Sequence, residues 1–196
     1  MKNKKFLMMM LAMVLVCVVS VAGTLAYLTA TTQSVKNTFV AAELADLVLD
    51  ESKANGSNGN YTLDTNTRVQ ANNYTVVPGV NLPKDPKVTV KGLEQTAYLY
   101  IEVIDALPST ITWEMRDTWT EVTGKTGKNG GKIYAYNAII QPNTADQEFF
   151  IIKDDTMVVA SNYEKTTAAQ ELTFYAYLCQ SAGFSSAAEA YTACFE

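Results

Sequence analysis

From Phe39 onward, apolar and polar residues alternate in short runs separated by turn-forming residues, and the period is two far more often than 3.6. Lys87-Val88-Thr89-Val90-Lys91 alternates strictly and predicts a half-buried strand. Ala97 to Ala106, AYLYIEVIDA, is β-branched and aromatic with Glu102 and Asp105 as its only charges, which predicts a central strand. Ile133 to Ile140, Phe149 to Ile152, Met157 to Ala160 and Leu172 to Gln180 predict further strands. Gly124 to Gly131 predicts a hairpin, because glycine accepts positive φ without steric cost. Pro78-Gly79 and Pro142-Asn143 predict turns, and Pro83 and Pro86 keep their connector out of any central strand.

The segment Glu51 to Asn60, ESKANGSNGN, reads as a loop on composition, with a strand near Tyr61 to Leu63 or Arg68 to Val77 after it. Leu44, Leu47, Val48 and Leu49 interleave with acids and fit a strand, although the alanines of Val40 to Leu49 also fit a helix. One late stretch departs from the β period. Ser185 or Ser186 can cap a helix running to Phe195, with Ala187, Ala190, Tyr191 and Cys194 on one face. Many short strands and one short C-terminal helix predict an all-β, antiparallel β-sandwich.

The first residues follow a different rule. Lys2, Lys4 and Lys5 precede an apolar run from Phe6 to Ala22, the order of a secretory signal. Thr24 and Ala26 are small residues three and one before Tyr27, which predicts cleavage after Ala26; cuts after Ala22 or Ala30 also satisfy the small-residue rule. The chain thus divides into a signal peptide (1–26), a threonine-rich extended arm (27–39) and a sandwich domain (40–196). Residues Phe6 to Leu28 are long enough to cross a bilayer, so any membrane association would run through an uncleaved signal.

Removing the signal takes three of the fifteen basic residues and none of the twenty acidic ones, leaving twelve against twenty and a net charge of −8. Such a surface repels nucleic acid and anionic headgroups. There is no histidine, which removes the commonest general base and metal ligand. Cys179 and Cys194 survive export, and either pair or remain two buried thiols.

Gly23-Thr24-Leu25-Ala26-Tyr27-Leu28-Thr29, followed by Asn37-Thr38-Phe39, resembles the signal region of the TasA/camelysin family, Gram-positive secreted proteins processed by a SipW-type signal peptidase. Val77 to Pro86 (VPGVNLPKDP), Phe174 to Leu178 and Ala187 to Phe195 resemble its clostridial branch. The resemblance implies a strand at Val40 to Leu49, a jelly-roll-like sandwich and a role as a subunit of extracellular matrix fibres. Its partners would be the peptidase and either further copies or related matrix subunits.

The camelysin branch has been classed as peptidase, but a zincin needs two histidines a helical turn apart. Asp105, Asp117, Asp154 and Asp155 show no spacing that selects a pair, and no metal, cofactor or catalytic set is expected. Trp113 and Trp119, near loops, are the candidates for stacking on a sugar in an adhesin or carbohydrate-binding module. For a fibre subunit the arm itself is the candidate, donated to a neighbour's sheet edge with Leu28, Val35 and Phe39 as plugs.

Overall fold

The computed structural model describes residues 44–165 and 170–196. The signal peptide, the cleavage residues and the arm lie outside them. The described residues belong to one compact unit, Ala42–Glu196.

In chain order the strands are β1 (Asp46–Ser57), β2 (Asn60–Val69), β3 (Leu82–Pro83), β4 (Lys87–Lys91), β5 (Ala97–Asp105), β6 (Ile111–Thr112), β7 (Trp119–Thr126), β8 (Lys132–Tyr136), β9 (Gln147–Phe150), β10 (Thr156–Val159) and β11 (Leu172–Gln180); α1 (Ala187–Phe195) follows. All named pairings are antiparallel. One four-stranded sheet has the order β2-β1-β4-β9, a second has β11-β5-β8-β7, and a short sheet has β3-β10-β6.

The two larger sheets face each other across one core. Val88 and Val90 from β4 meet Leu99, Ile101 and Val103 from β5, with Trp119, Ile140, Ile151 and Ile152 filling the same layer. The strict alternation of β4 is thereby explained, since its valines point inward. β5 lacks that alternation because both its faces are covered. Its second face carries Tyr98 and Tyr100, which pack with Val122, Ile133 and Ala135 under Ala190 and Tyr191 of α1. The described residues therefore form an all-β sandwich with an α-helix laid on the outside of the second sheet.

The helix begins where the serines suggested. Ser186 is the N-cap and accepts from the Glu189 backbone N–H, while the Glu189 carboxylate accepts from the N–H and hydroxyl of Ser185, a reciprocal cap of the helix start. The open alternative at the cysteines is also resolved. Cys179 on β11 and Cys194 on α1 are joined as a disulfide with Cα atoms 6.4 Å apart, and the Tyr100 hydroxyl donates to the Ala187 carbonyl at 2.7 Å.

Three expectations are corrected. Glu51 to Asn60 is not a loop: it is the end of β1, a two-residue turn and the first residue of β2, with Ser57 opposite Asn60. Asn58 (φ 49°) and Gly59 (φ 82°) form that turn, as an Asn-Gly pair does in the tightest hairpins. Of the two places considered for the next strand, Tyr61 to Leu63 lies within β2, while the segment after Val69 is irregular as far as Val77; the strand beginning at Lys132 ends at Tyr136 rather than Ile140.

Candidate functional site

A sheet edge is where a β protein can add another chain, and proteins blunt edges with charges, bulges or short strands. β9 has only four residues, including Glu148. β7 carries Glu121 and Lys125, and its register with β8 slips between Glu121 and Thr126. β2 carries Asp64 and Arg68 opposite a bulge at Ser52/Lys53. Among the described residues the remaining edge of the two larger sheets, β11, is nine residues of LTFYAYLCQ without a charge, proline or glycine, and its pairing with β5 is unbroken from Leu172–Asp105 to Gln180–Ala97.

The hydrogen bonds at the two ends of β11 set the direction of every backbone group along it. The Ala106 N–H donates to the Glu171 carbonyl at 2.9 Å, and the Ser181 N–H to the Thr96 carbonyl at 2.8 Å. In an antiparallel ladder such pairs recur at every second residue. Odd-numbered residues of β11 therefore bond to β5, and Leu172, Phe174, Ala176, Leu178 and Gln180 turn their N–H and C=O groups away from it. Leu172, Phe174, Ala176 and Leu178 also direct their side chains at the inter-sheet core, yet they are only half-buried. Leu99 and Ile101, on the next strand in, are fully buried.

The facing sheet is open on the same side. Asp46 to Asp50 of β1 pair with β4, whereas β2 begins to pair with β1 only at Glu51. Leu47 and Leu49 are half-buried there. Among the described residues, the sandwich thus has a seam between β1 and β11 along which core side chains meet solvent.

At its Leu172 end the seam widens into a cleft of about 840 Å³. Leu49, Leu82, Ile111, Met157, Leu172 and Phe174 form its apolar lining, and Asp50, Glu51, Lys84, Asn73 and Glu171 contribute polar groups. A fixed polar network supports this end. Lys84 pairs with Glu51 at 2.6 Å and Arg68 with Asp50 at 2.8 Å. Asp85 accepts from the Ser52 N–H and hydroxyl at 2.8 and 2.6 Å, and from Arg68 at 3.1 Å. These bonds satisfy buried polar groups beside the bulge, where β1 exchanges one partner for another.

Trp119 lies in the core, 5% exposed, with its indole N–H on the Phe150 carbonyl at 2.9 Å, so it does not present a face to a ligand. Trp113 is half-buried: it donates to Asp105 at 2.9 Å and meets Phe174 edge-on at 5.7 Å. It therefore props a cleft residue from behind. Of the acids considered, Asp105 holds Trp113 and Asp155 pairs with Arg116 at 2.8 Å. No group of three metal-ligating side chains occurs among the described residues.

A second polar site escaped sequence reading altogether. Glu102, in the middle of β5 and fully buried, accepts from the Tyr177 hydroxyl at 2.6 Å, the Asn129 N–H at 2.8 Å, the Gly131 N–H at 2.9 Å and the Asn129 amide at 3.0 Å. Burial pushes its carboxyl up, but these donors, Tyr177 first, outweigh burial and hold it below the ordinary value. Burial and the same hydrogen bond push the Tyr177 phenol up, so it remains a donor. The signal was present in two places, a lone acid in the most apolar strand and a glycine run, but nothing in sequence joins them.

No protein-family model, no curated protein and no solved structure matches the chain.

Proposed function

We propose that this chain is a secreted structural protein of an extracellular or biofilm matrix. It is released by a SipW-type peptidase and forms or joins cell-surface fibres by strand exchange. The observation that carries the reading is β11, a long uncharged edge whose inward side chains are left half-covered. A strand laid against it gains main-chain hydrogen bonds and closes the core in the same step. The donor is the arm, residues 27–39, of a neighbouring copy or a related subunit. Head-to-tail donation does not close on itself and so propagates a filament.

The test uses the secreted protein beginning at Tyr27, followed by negative-stain microscopy and light scattering over time. Filaments are expected, together with a folded monomer when residues 27–39 are deleted. Ala176→Pro isolates the edge. Its N–H points away from β5, so proline there removes an outward donor without breaking a β11–β5 bond. Growth should stop while the far-ultraviolet circular dichroism spectrum is retained. Filaments that grow equally well from the Ala176→Pro protein would exclude β11 as the acceptor.

A further inference from the structure

Independently of the fibre reading, we infer that the Cys179–Cys194 disulfide is a one-sided exchange site. A small external thiol enters at Cys194, becomes covalently joined to α1 and releases that helix from its bond to β11.

The two sulfurs differ in access. Cys179 stands on the outer face of the second sheet, 3% exposed, among Tyr98, Tyr100, Ile133, Ala190 and Tyr191. Cys194, in the last turn of α1, is exposed. Exchange proceeds by attack of a thiolate on one of the two sulfurs, roughly in line with the bond that breaks and from the side away from the leaving sulfur. Cys194 can be approached in this way from the exposed side of the helix. For Cys179 the same line runs back into the sheet, where Tyr98 of β5 stands opposite it. Attack therefore falls on Cys194, and Cys179 is the leaving group.

The step needs no oxidant. One S–S bond forms between the incoming sulfur and the Cys194 Sγ as the bond between the two Sγ atoms breaks. The incoming sulfur is oxidised, Cys179 is reduced, and the proton of the incoming thiol ends on Cys179. Both products are accommodated. A Cys179 thiol is a small apolar group in an apolar layer, and the new substituent sits at an exposed position. The exposed residues of α1 next to it in the helix, Glu189, Thr192 and Ala193, offer no apolar surface to a protein partner, which selects a low-molecular-weight thiol.

The element that carries the adduct is one that can open. Once the bond is exchanged, α1 is held by noncovalent contacts: Tyr191 and Phe195 against Tyr100, Phe195 against Tyr177, and the Tyr100 hydroxyl on the Ala187 carbonyl. The Lys125–Glu196 pair at 2.6 Å and Lys128 over the Phe195 ring at 5.4 Å lie nearer the surface and add little. A nine-residue helix fixed only by such packing exchanges between docked and open forms.

The experiment treats the oxidised protein beginning at Tyr27 with reduced glutathione, quenches in acid, alkylates free thiols under acidic denaturing conditions and locates both labels by peptide mass mapping. One glutathione on Cys194 and one alkyl label on Cys179 are expected, with faster hydrogen exchange in α1 and unchanged exchange in β5. Single-cysteine proteins give the rates. Cys179→Ser should take up glutathione from its oxidised form about a hundredfold faster than Cys194→Ser, whose buried thiol reacts only through openings of the fold; in urea the two rates should converge. The unsubstituted protein carries the test if either variant fails to fold. Glutathione on Cys179, on both sulfurs alike or on neither overturns the inference, and a Cys194 adduct with unchanged exchange in α1 overturns the release of the helix.

Discussion

Glu102 shows how a single residue can tie two distant parts of the chain. A carboxylate buried on the outer face of β5 is tolerated only when its oxygens are fully occupied, and here the hairpin between β7 and β8 folds over that face to supply three of the four donors. The glycine run was legible as a turn, but its main demand is proximity. A methyl group at Gly127 would fall on the Glu102 carboxylate, and one at Gly131 on the Val103 carbonyl. Gly127→Ala should therefore cost about 3 kcal/mol, the scale of overpacking combined with a broken buried hydrogen bond, measured by urea unfolding. Glu102→Gln, which turns an amide toward groups that are already donors, should cost about 2–3 kcal/mol. Because the folded carboxyl is held below its ordinary value of 4.5, its contribution is complete at neutral pH. It is lost as the pH falls below about 4.5 and through the lower folded value. The Glu102→Gln protein should show a shallower loss of stability between pH 5 and 2 than the parent.

At the scale of elements, pattern was informative wherever one face of a strand was buried. β4, β5 and β11 were legible within a residue or two, as was the helix, because each sets an apolar face against a layer. Glu51 to Asn60 was misread for the opposite reason. Its buried members, Glu51 and Ser52, are polar, and from Lys53 to Asn60 most residues are exposed, so no apolar alternation exists to be read, and only Asn58-Gly59 announced the turn. The helix raises a separate question of what holds it. Nine residues are too few to be stable as an isolated helix, and α1 depends on Tyr191 and Phe195 packing beneath and on its tie to β11. Closing the fifteen-residue separation between Cys179 and Cys194 is worth about 3 kcal/mol in the chain-entropy description. Reduction should lower Tm by about 6–12 °C. Hydrogen exchange should show α1 losing protection before β4 does; equal protection of α1 in the oxidised and reduced proteins would assign its stability to packing alone.

For the whole molecule, a two-layer antiparallel architecture followed from counting strands and turns, but the place where the sandwich is left open did not. Which strand stands at an edge depends on partner choice between segments far apart in sequence: β11 on β5, β1 divided between β4 and β2. Composition along a strand reveals whether it could survive as an edge; it does not reveal that it is one. β11 reads as a core strand because its side chains are core side chains, and the seam is visible only when their half-burial is set beside the full burial of β5. Trp119 was misassigned by the same limitation, since nearness to a loop in sequence says nothing about which side of a sheet an indole occupies.

The division of β1 between two partners also has a mechanical meaning. Asp46 to Asp50 lie in antiparallel register with Lys91 to Lys87, so a pull on the chain ahead of Leu44 acts along β1 and lengthwise across that whole ladder. Hydrogen bonds perpendicular to the strands then resist in shear, sharing the force, rather than parting one after another as in a hairpin peeled from its end. Force applied through the chain ahead of Leu44 therefore meets the β1–β4 ladder in its more resistant, shearing geometry.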